Sequence, residues 1–209
     1  DSLTAIAAIS ADPDNFKLPL CIIREGKTNQ SKKILTSIEQ YFQIEISESG
    51  WSTVRCFANY LIWLRAELNE RYKKMPNYSN DTKIDIILDL YATHRNSTIK
   101  RLASSLNFEL HFIPAGLTDS FQPLDRYIFG ALKSMARKEW NIKYALDPEK
   151  GCTIIDACII LVRCWNRINP STQRRAWNPY SCPEECDIDS LVRSKTIEID
   201  IKSSELNID

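Results

Sequence analysis

Apolar positions recur along this chain with two periods, near 2 and near 3.6 residues, and their succession sets out an α/β order. Leu3 to Ile9 and Lys17 to Ile23 are apolar stretches of strand length. The turn formers Ala11-Asp12-Pro13-Asp14-Asn15 lie between them, so the pair predicts a hairpin. Ile34 to Tyr41 fits a short helix and Phe42 to Ile46 a short strand. After Gly50-Trp51-Ser52, the positions Val54, Phe57, Ala58, Leu61, Arg65 and Leu68 track one helical stripe, with the Arg65 stem along its edge. Trp51 and Trp63 read as core residues of that helix rather than as rings that stack on bases. Met75 to Asp81 reads as a loop.

Ile84 to Leu88 is a β-branched run too short for a helix, of the kind that suits a strand buried on both faces. Asp89 follows at once, at the carboxyl end where open α/β sheets carry their functional groups. Ile99, Leu102, Ala103 and Leu106 then fall at helical spacing, with Asn96 or Ser97 able to cap the first turn. Phe108 to Ile113 is the next strand, stopped by Pro114 and the Gly116 loop. The two strands should be parallel neighbours joined by a right-handed crossover helix. A helix from Asp125 to Leu146 carries Ile128, Leu132, Ala136, Trp140 and Tyr144 in one row. Ile154 to Trp165 is apolar almost all round and should be the most buried helix, and Ser171 to Trp177 gives a last short helical turn. Beyond Pro179 only Ile197, Ile199 and Ile201 alternate like a strand, inside an acidic and loose tail. The expected division is one domain over residues 1–178 and a tail over 179–209.

Composition narrows the class. A chain of 209 residues with 44% hydrophobic content can bury one sizeable core. It has no run long enough for a membrane span and no signal-peptide pattern at its start. Seven cysteines, without a Cys-x-x-Cys pair, read as reduced thiols of an intracellular protein. Cys182 and Cys186 are the one close pair, but further ligands at zinc spacing are lacking, since the only histidines are His94 and His111. Formal charge is zero, yet unevenly spread. Lys133, Arg137, Lys138 and Lys143 crowd one helix, a face able to follow phosphates and equally able to be plain solvated surface. From Glu184 onward acids outnumber bases. Gly26-Lys27 lacks the glycine cluster of a nucleotide loop and reads as a turn.

The segments Leu88-Asp89-x-Tyr-x-Thr-His94, Phe112-Ile-Pro-x-Gly-x-Thr118 and Gln122-Pro-Leu-Asp125-Arg-x-x-Phe-Gly-Ala-Leu-Lys133 together resemble the DDE superfamily endonucleases. These are the pogo and mariner type transposases, with their centromere-protein-B and jerky-like relatives. The resemblance extends over roughly Leu3 to Trp177 and includes the hairpin and the Gly50-Trp51 helix start. It implies an α/β, RNase H-like mixed sheet flanked by helices, with Asp89 as the second catalytic acid and Asp125 as the third, about 35 positions apart. Leu90 stands where relatives usually have an amide residue. The family's first acid lies on a strand preceding the hairpin, in the middle of the sheet. None of Asp1, Asp12, Asp14 and Asp85 fits that place, so the resemblance implies a domain incomplete at its N-terminal side, without the usual first strand and helix-turn-helix module.

Carboxylates in such a pair suit Mg²⁺ or Mn²⁺, and two divalent ions about 4 Å apart can stabilise both oxygens of an in-line phosphodiester displacement. Two readings follow from the resemblance. The first is a metal-dependent DNA strand cleavage and transfer nuclease, here incomplete. The alternative is an inactive, domesticated or decayed DNA-binding or interaction protein, with an unrelated α/β protein as the remaining case. DNA is the implied partner, a homo-oligomer a candidate assembly, a membrane excluded and the nucleus the implied location. The expectation for residues 1–209 alone is weak metal binding at Asp89 and Asp125, drawn together at one sheet edge, and no detectable cleavage.

Overall fold

The computed structural model describes residues 3–11, 16–27, 41–149, 151–178 and 197–205. The chain opens with strands β1 (Leu3–Ser10), β2 (Cys21–Glu25) and β3 (Gln43–Ser47), followed by helix α1 (Val54–Tyr72). Strand β4 (Ile84–Leu88), helix α2 (Ser97–Ser105) and strand β5 (Phe108–Phe112) come next. A single turn α3 (Thr118–Phe121) leads to a π-helical turn, Leu124–Ile128, that runs straight into α4 (Phe129–Leu146). Helices α5 (Ile154–Arg167) and α6 (Pro170–Trp177) precede a last strand, β6 (Ile197–Glu205).

The strands form one mixed sheet in the order β3-β2-β1-β6-β4-β5. The predicted hairpin is the antiparallel β1–β2 pair, and β3 lies parallel to β2. Most of its turn lies outside the described residues, as do almost all of the helix expected over Ile34 to Tyr41 and the Cys182–Cys186 pair. The predicted crossover is present: β4 and β5 pair in parallel, Ile84 level with Phe108, with α2 between them in sequence. Asn96 caps α2, its side-chain oxygen accepting from the Thr98 N–H at 2.8 Å.

Of the segment expected as a tail, residues 197–205 are described, and they form β6. This strand runs antiparallel to β1, with Thr4 level with Glu205, and parallel to β4, with Ile84 level with Ile197. The alternation of Ile197, Ile199 and Ile201 was the local trace of it. Their paired positions on β4 are Ile84, Ile86 and Leu88, so the apolar period of the two strands is in phase.

Helices cover both faces of the sheet. On one face α1 and α2 pack Phe57, Tyr60, Leu61, Leu64, Leu68 and Ile99 against Ile6, Ala8, Ile84, Ile86 and Leu88. On the other, the π-turn and helices α4, α5 and α6 pack Leu124, Ile128, Leu132, Leu161 and Trp165 against Leu3, Ala5, Ala7, Ile9 and Ile22. β1 is buried at all eight positions because both layers meet over it. β4 was expected to be buried on both faces, but only Ile84, Ile86 and Leu88 are, while Asp85 and Ile87 are half-buried. The second helical layer is centred over β1 to β3 and leaves the opposite face of β4 partly open. α5 is likewise buried along one stripe only, since Ile159, Arg163, Asn166 and Arg167 are exposed. In the α4 row, burial holds through Ala136, Trp140 is half-buried and Tyr144 is exposed, because the helix outruns the sheet.

Two polar anchors tie α5 and α6 to the hairpin. Lys17 donates from Nζ to the carbonyls of Trp165 at 2.8 Å and Ile168 at 2.6 Å, at the α5 C-terminus, where a cation complements the helix dipole. Burial lowers its pKa to about 8. Gln173 Nε2 donates to the Phe16 carbonyl at 2.7 Å.

Between Ile199 and Ile201, β6 has ladder partners on both sides, so a residue there cannot lose its N–H without losing a sheet bond. Ile199→Pro, level with Ile86 of β4 and Ser10 of β1, is expected to lower the thermal midpoint by roughly 5 °C or more. In a chain of this size about 1 kcal/mol already moves it by about 2–4 °C. An unchanged midpoint would show that β6 does not hold the sheet together.

Candidate active site

Asp89 is the first residue after β4, at its carboxyl end. Its Oδ1 accepts from His94 Nδ1–H at 2.7 Å and from the Tyr91 N–H at 3.2 Å. The chain between them makes one tight turn, with the His94 N–H bonded to the Tyr91 carbonyl at 3.0 Å. His94 is fully buried. Its ring lies 4.4 Å from that of Phe57 on α1, and Tyr91 stands edge-on to it at 5.6 Å. The carboxylate is therefore oriented by an imidazole that is itself clamped in the core, a dependence of the kind that fixes functional side chains in place.

Asp125 enters from elsewhere in the chain. It is the second residue of the π-turn, which follows Pro123 and packs against β1 and β6. One extra residue per turn is accommodated here, a local change of helix register that recurs at functional sites. Arg126 Nη1 donates to the Ala176 carbonyl at 3.3 Å and fastens the turn to α6. Asp89 and Asp125 thus sit on segments that flank β6, the first at the end of its parallel neighbour and the second on the helical layer above it. The backbone register adds a third acidic position: Asp200 of β6 is level with Ile87, two residues before Asp89.

Beside Asp89 is a small cavity of about 40 Å³ lined by Thr4, Trp51, Ser52, Asp89, Tyr91 and His94. Thr4 comes from β1, so the cavity spans the end of β6. Two buried atoms near it, Ser52 Oγ and His94 Nε2, have no hydrogen-bond partner among the described residues. Trp51, expected in the core, is exposed. It precedes the Thr53 cap of α1 and lies outside the helix, whereas Trp63 packs half-buried against the core.

The basic residues divide. Lys133, Arg137 and Lys138 are exposed on α4. Lys143 instead pairs with Asp156 at 3.1 Å, inside the capping box that Asp156 makes with Thr153. Partial burial works upward on that carboxyl, but the Thr153 hydrogen bonds and the Lys143 ion pair outweigh it and hold Asp156 below the usual range. Lys143 is thus engaged in an ion pair at the α5 cap.

Oxygen donors at Asp89 and Asp125 match a hard divalent cation, which needs few protein carboxylates because it retains water. No group of three or more His, Cys, Asp or Glu side chains that could hold a metal ion occurs among the described residues. His94, the residue that orients Asp89, carries a signal in the sequence: a histidine five positions after an acid at a strand end. Its role needs the turn geometry to become visible. No described helix is long and apolar enough to cross a membrane.

Compared with known families, residues 2–177 match the one described as DDE superfamily endonuclease. The chain is also 23% identical over 154 residues to a Homo sapiens protein, "Pogo transposable element with ZNF domain". The overlap takes in 73% of this chain and 10% of that relative, so the chain spans about a tenth of its length. No solved structure matches the chain.

His94→Phe keeps a ring against Phe57 and removes the donor to Asp89. It should cost about 1–3 kcal/mol of unfolding free energy in urea, the range for a buried polar group deprived of its partner. A change below about 0.5 kcal/mol would mean that the His94–Asp89 bond does not orient the acid.

Proposed function

The chain belongs to the DDE superfamily endonucleases, as a pogo-type DDE domain, and on that premise we propose that it is an RNase H-like module for divalent-metal-dependent cleavage and transfer of DNA strands. Asp89 and Asp125 are its metal-binding carboxylates. The observation that carries this reading is Asp89 itself, held at the carboxyl end of a parallel strand by a buried imidazole and a backbone N–H.

When bound, Mg²⁺ or Mn²⁺ supplies Lewis-acid stabilisation of the attacking and leaving oxygens. The chain's own share is to hold the carboxylates in place and to exclude bulk water from one side of Asp89 through the buried Phe57 and His94. Asp200 is the candidate for a third carboxylate, on the strength of its register in β6. Lys133, Arg137 and Lys138 are the candidate phosphate contacts, and such contacts weaken steeply with added salt. Likeness to a pogo-type relative supports a nuclear location. A second reading is a domain of the same family that binds DNA without catalysis.

Mn²⁺ titration followed by plasmid nicking separates the two. Metal affinity is expected to fall at least about tenfold in Asp89→Asn and in Asp125→Asn, as loss of one charged ligand predicts, with circular dichroism unchanged. The same fall in Asp200→Asn would identify the third ligand. Nicking that vanishes in Asp89→Ala establishes the nuclease, Asp89-dependent metal binding without nicking establishes the second reading, and metal binding indifferent to both acids overturns the site.

A further inference from the structure

Two aromatic rings flank the acid and neither is buried. Trp51 is 46% exposed and Tyr91 is 40% exposed, and both line the cavity that Asp89 lines. Phe57, Tyr60 and Trp165 serve the core, and Tyr41, Phe121, Tyr127 and Tyr144 are exposed elsewhere, so what sets Trp51 and Tyr91 apart is their place in the cavity lining beside Asp89. Rings left in water beside a candidate catalytic acid call for another use.

Both are mounted firmly. The Trp51 carbonyl accepts from Ser47 Oγ–H at 2.7 Å, its N–H reaches Ser49 Oγ at 3.4 Å, and Ser52 next to it is buried. Tyr91 gives its N–H to Asp89 and rests edge-on against the clamped His94 ring. The backbone at Trp51 and the ring of Tyr91 are thus held within the fold, which lowers the ordering cost for a ligand that stacks. The space between them and Thr4, at about 40 Å³, holds a water or a single polar oxygen and is too small for a nucleobase. Ser52 Oγ and His94 Nε2, both without partners among the described residues, give that space polar character. A flat ligand with a polar edge can therefore lie across the mouth and cannot enter.

We infer that Trp51 and Tyr91 form a stacking platform for an unpaired nucleobase beside Asp89, so that the domain engages DNA whose strand is unpaired next to the phosphate to be cleaved. The inference rests on the DNA-processing reading above and adds the state of the substrate to it. Stacking tolerates any base, because every base presents a π-face, and a displaced base costs least where the strand is already open. The platform therefore selects for strand state and leaves sequence choice to other contacts.

The test uses the full chain with a single-stranded oligonucleotide carrying 2-aminopurine, whose fluorescence is quenched when it stacks, and a duplex of the same sequence. Wild type is expected to bind and quench the single strand. Trp51→Ala and Tyr91→Ala should each weaken single-strand binding on the order of tenfold, with duplex affinity changed less than about twofold and circular dichroism unchanged. Trp51→Phe should retain most of the quenching. Alanine variants that bind and quench like wild type overturn the platform, as does a wild type that does not bind the single strand. If Asp89-dependent Mn²⁺ binding persists while the platform fails, the DNA-processing reading stands alone. If metal binding fails while ring-dependent stacking persists, the platform stands without that reading.

Discussion

The pairing of β6 with both β1 and β4 is the interaction on which the rest of this structure depends. β1 and β4 do not pair with each other, so the β3-β2-β1 and β4-β5 halves join through Ile197–Glu205. Backbone donors in a sheet interior must find partners, and one inserted strand satisfies two edges that would otherwise invite association. The consequence reaches the site. Thr4 on β1 and Asp89 after β4 line one cavity because a single strand, about two ladder spacings or roughly 10 Å in all, separates their parent strands. The π-turn bearing Asp125 packs on β1 and β6 together.

Local pattern carried the parts of the fold that local physics decides. The β-branched run at Ile84 to Leu88, the Asn96 cap and the helical spacing of Ile99 and Ala103 were each legible because each is settled within a few residues. β6 was not legible. Its alternation at Ile197, Ile199 and Ile201 is visible, but nothing near it in sequence reveals that it pairs with strands more than a hundred residues away. The exposed face of α5 was missed for a related reason. An apolar helix reads as buried all round until the extent of the layer beneath it is known, and here Ile159 turns outward at the margin.

At the candidate site the sequence yielded the acids and withheld their support. Asp89 and Asp125 stand out through the motifs around them, whereas His94 is an isolated histidine until the turn after β4 brings Nδ1 to 2.7 Å from the Asp89 carboxylate. Trp51 illustrates the converse. Counted as part of a helical stripe it belongs to the core, but the helix begins only after Thr53, whose side chain caps it. Two positions before the cap, the ring is free of the helical period and emerges at the site. Lys143 moved the other way, from a basic helix face into an ion pair with Asp156.

The distribution of charged partners supports this assignment of roles. Glu139 lies between Arg163 and Arg167 and staples α4 to α5, while Asp156 serves the α5 cap and Lys143. These acids are satisfied by groups of opposite charge and by their own helix terminus, which is how a carboxylate contributes to a surface or a cap. Asp89 is oriented through an imidazole and a backbone N–H, at a strand end where the β3–α1 segment and the turn after β4 converge.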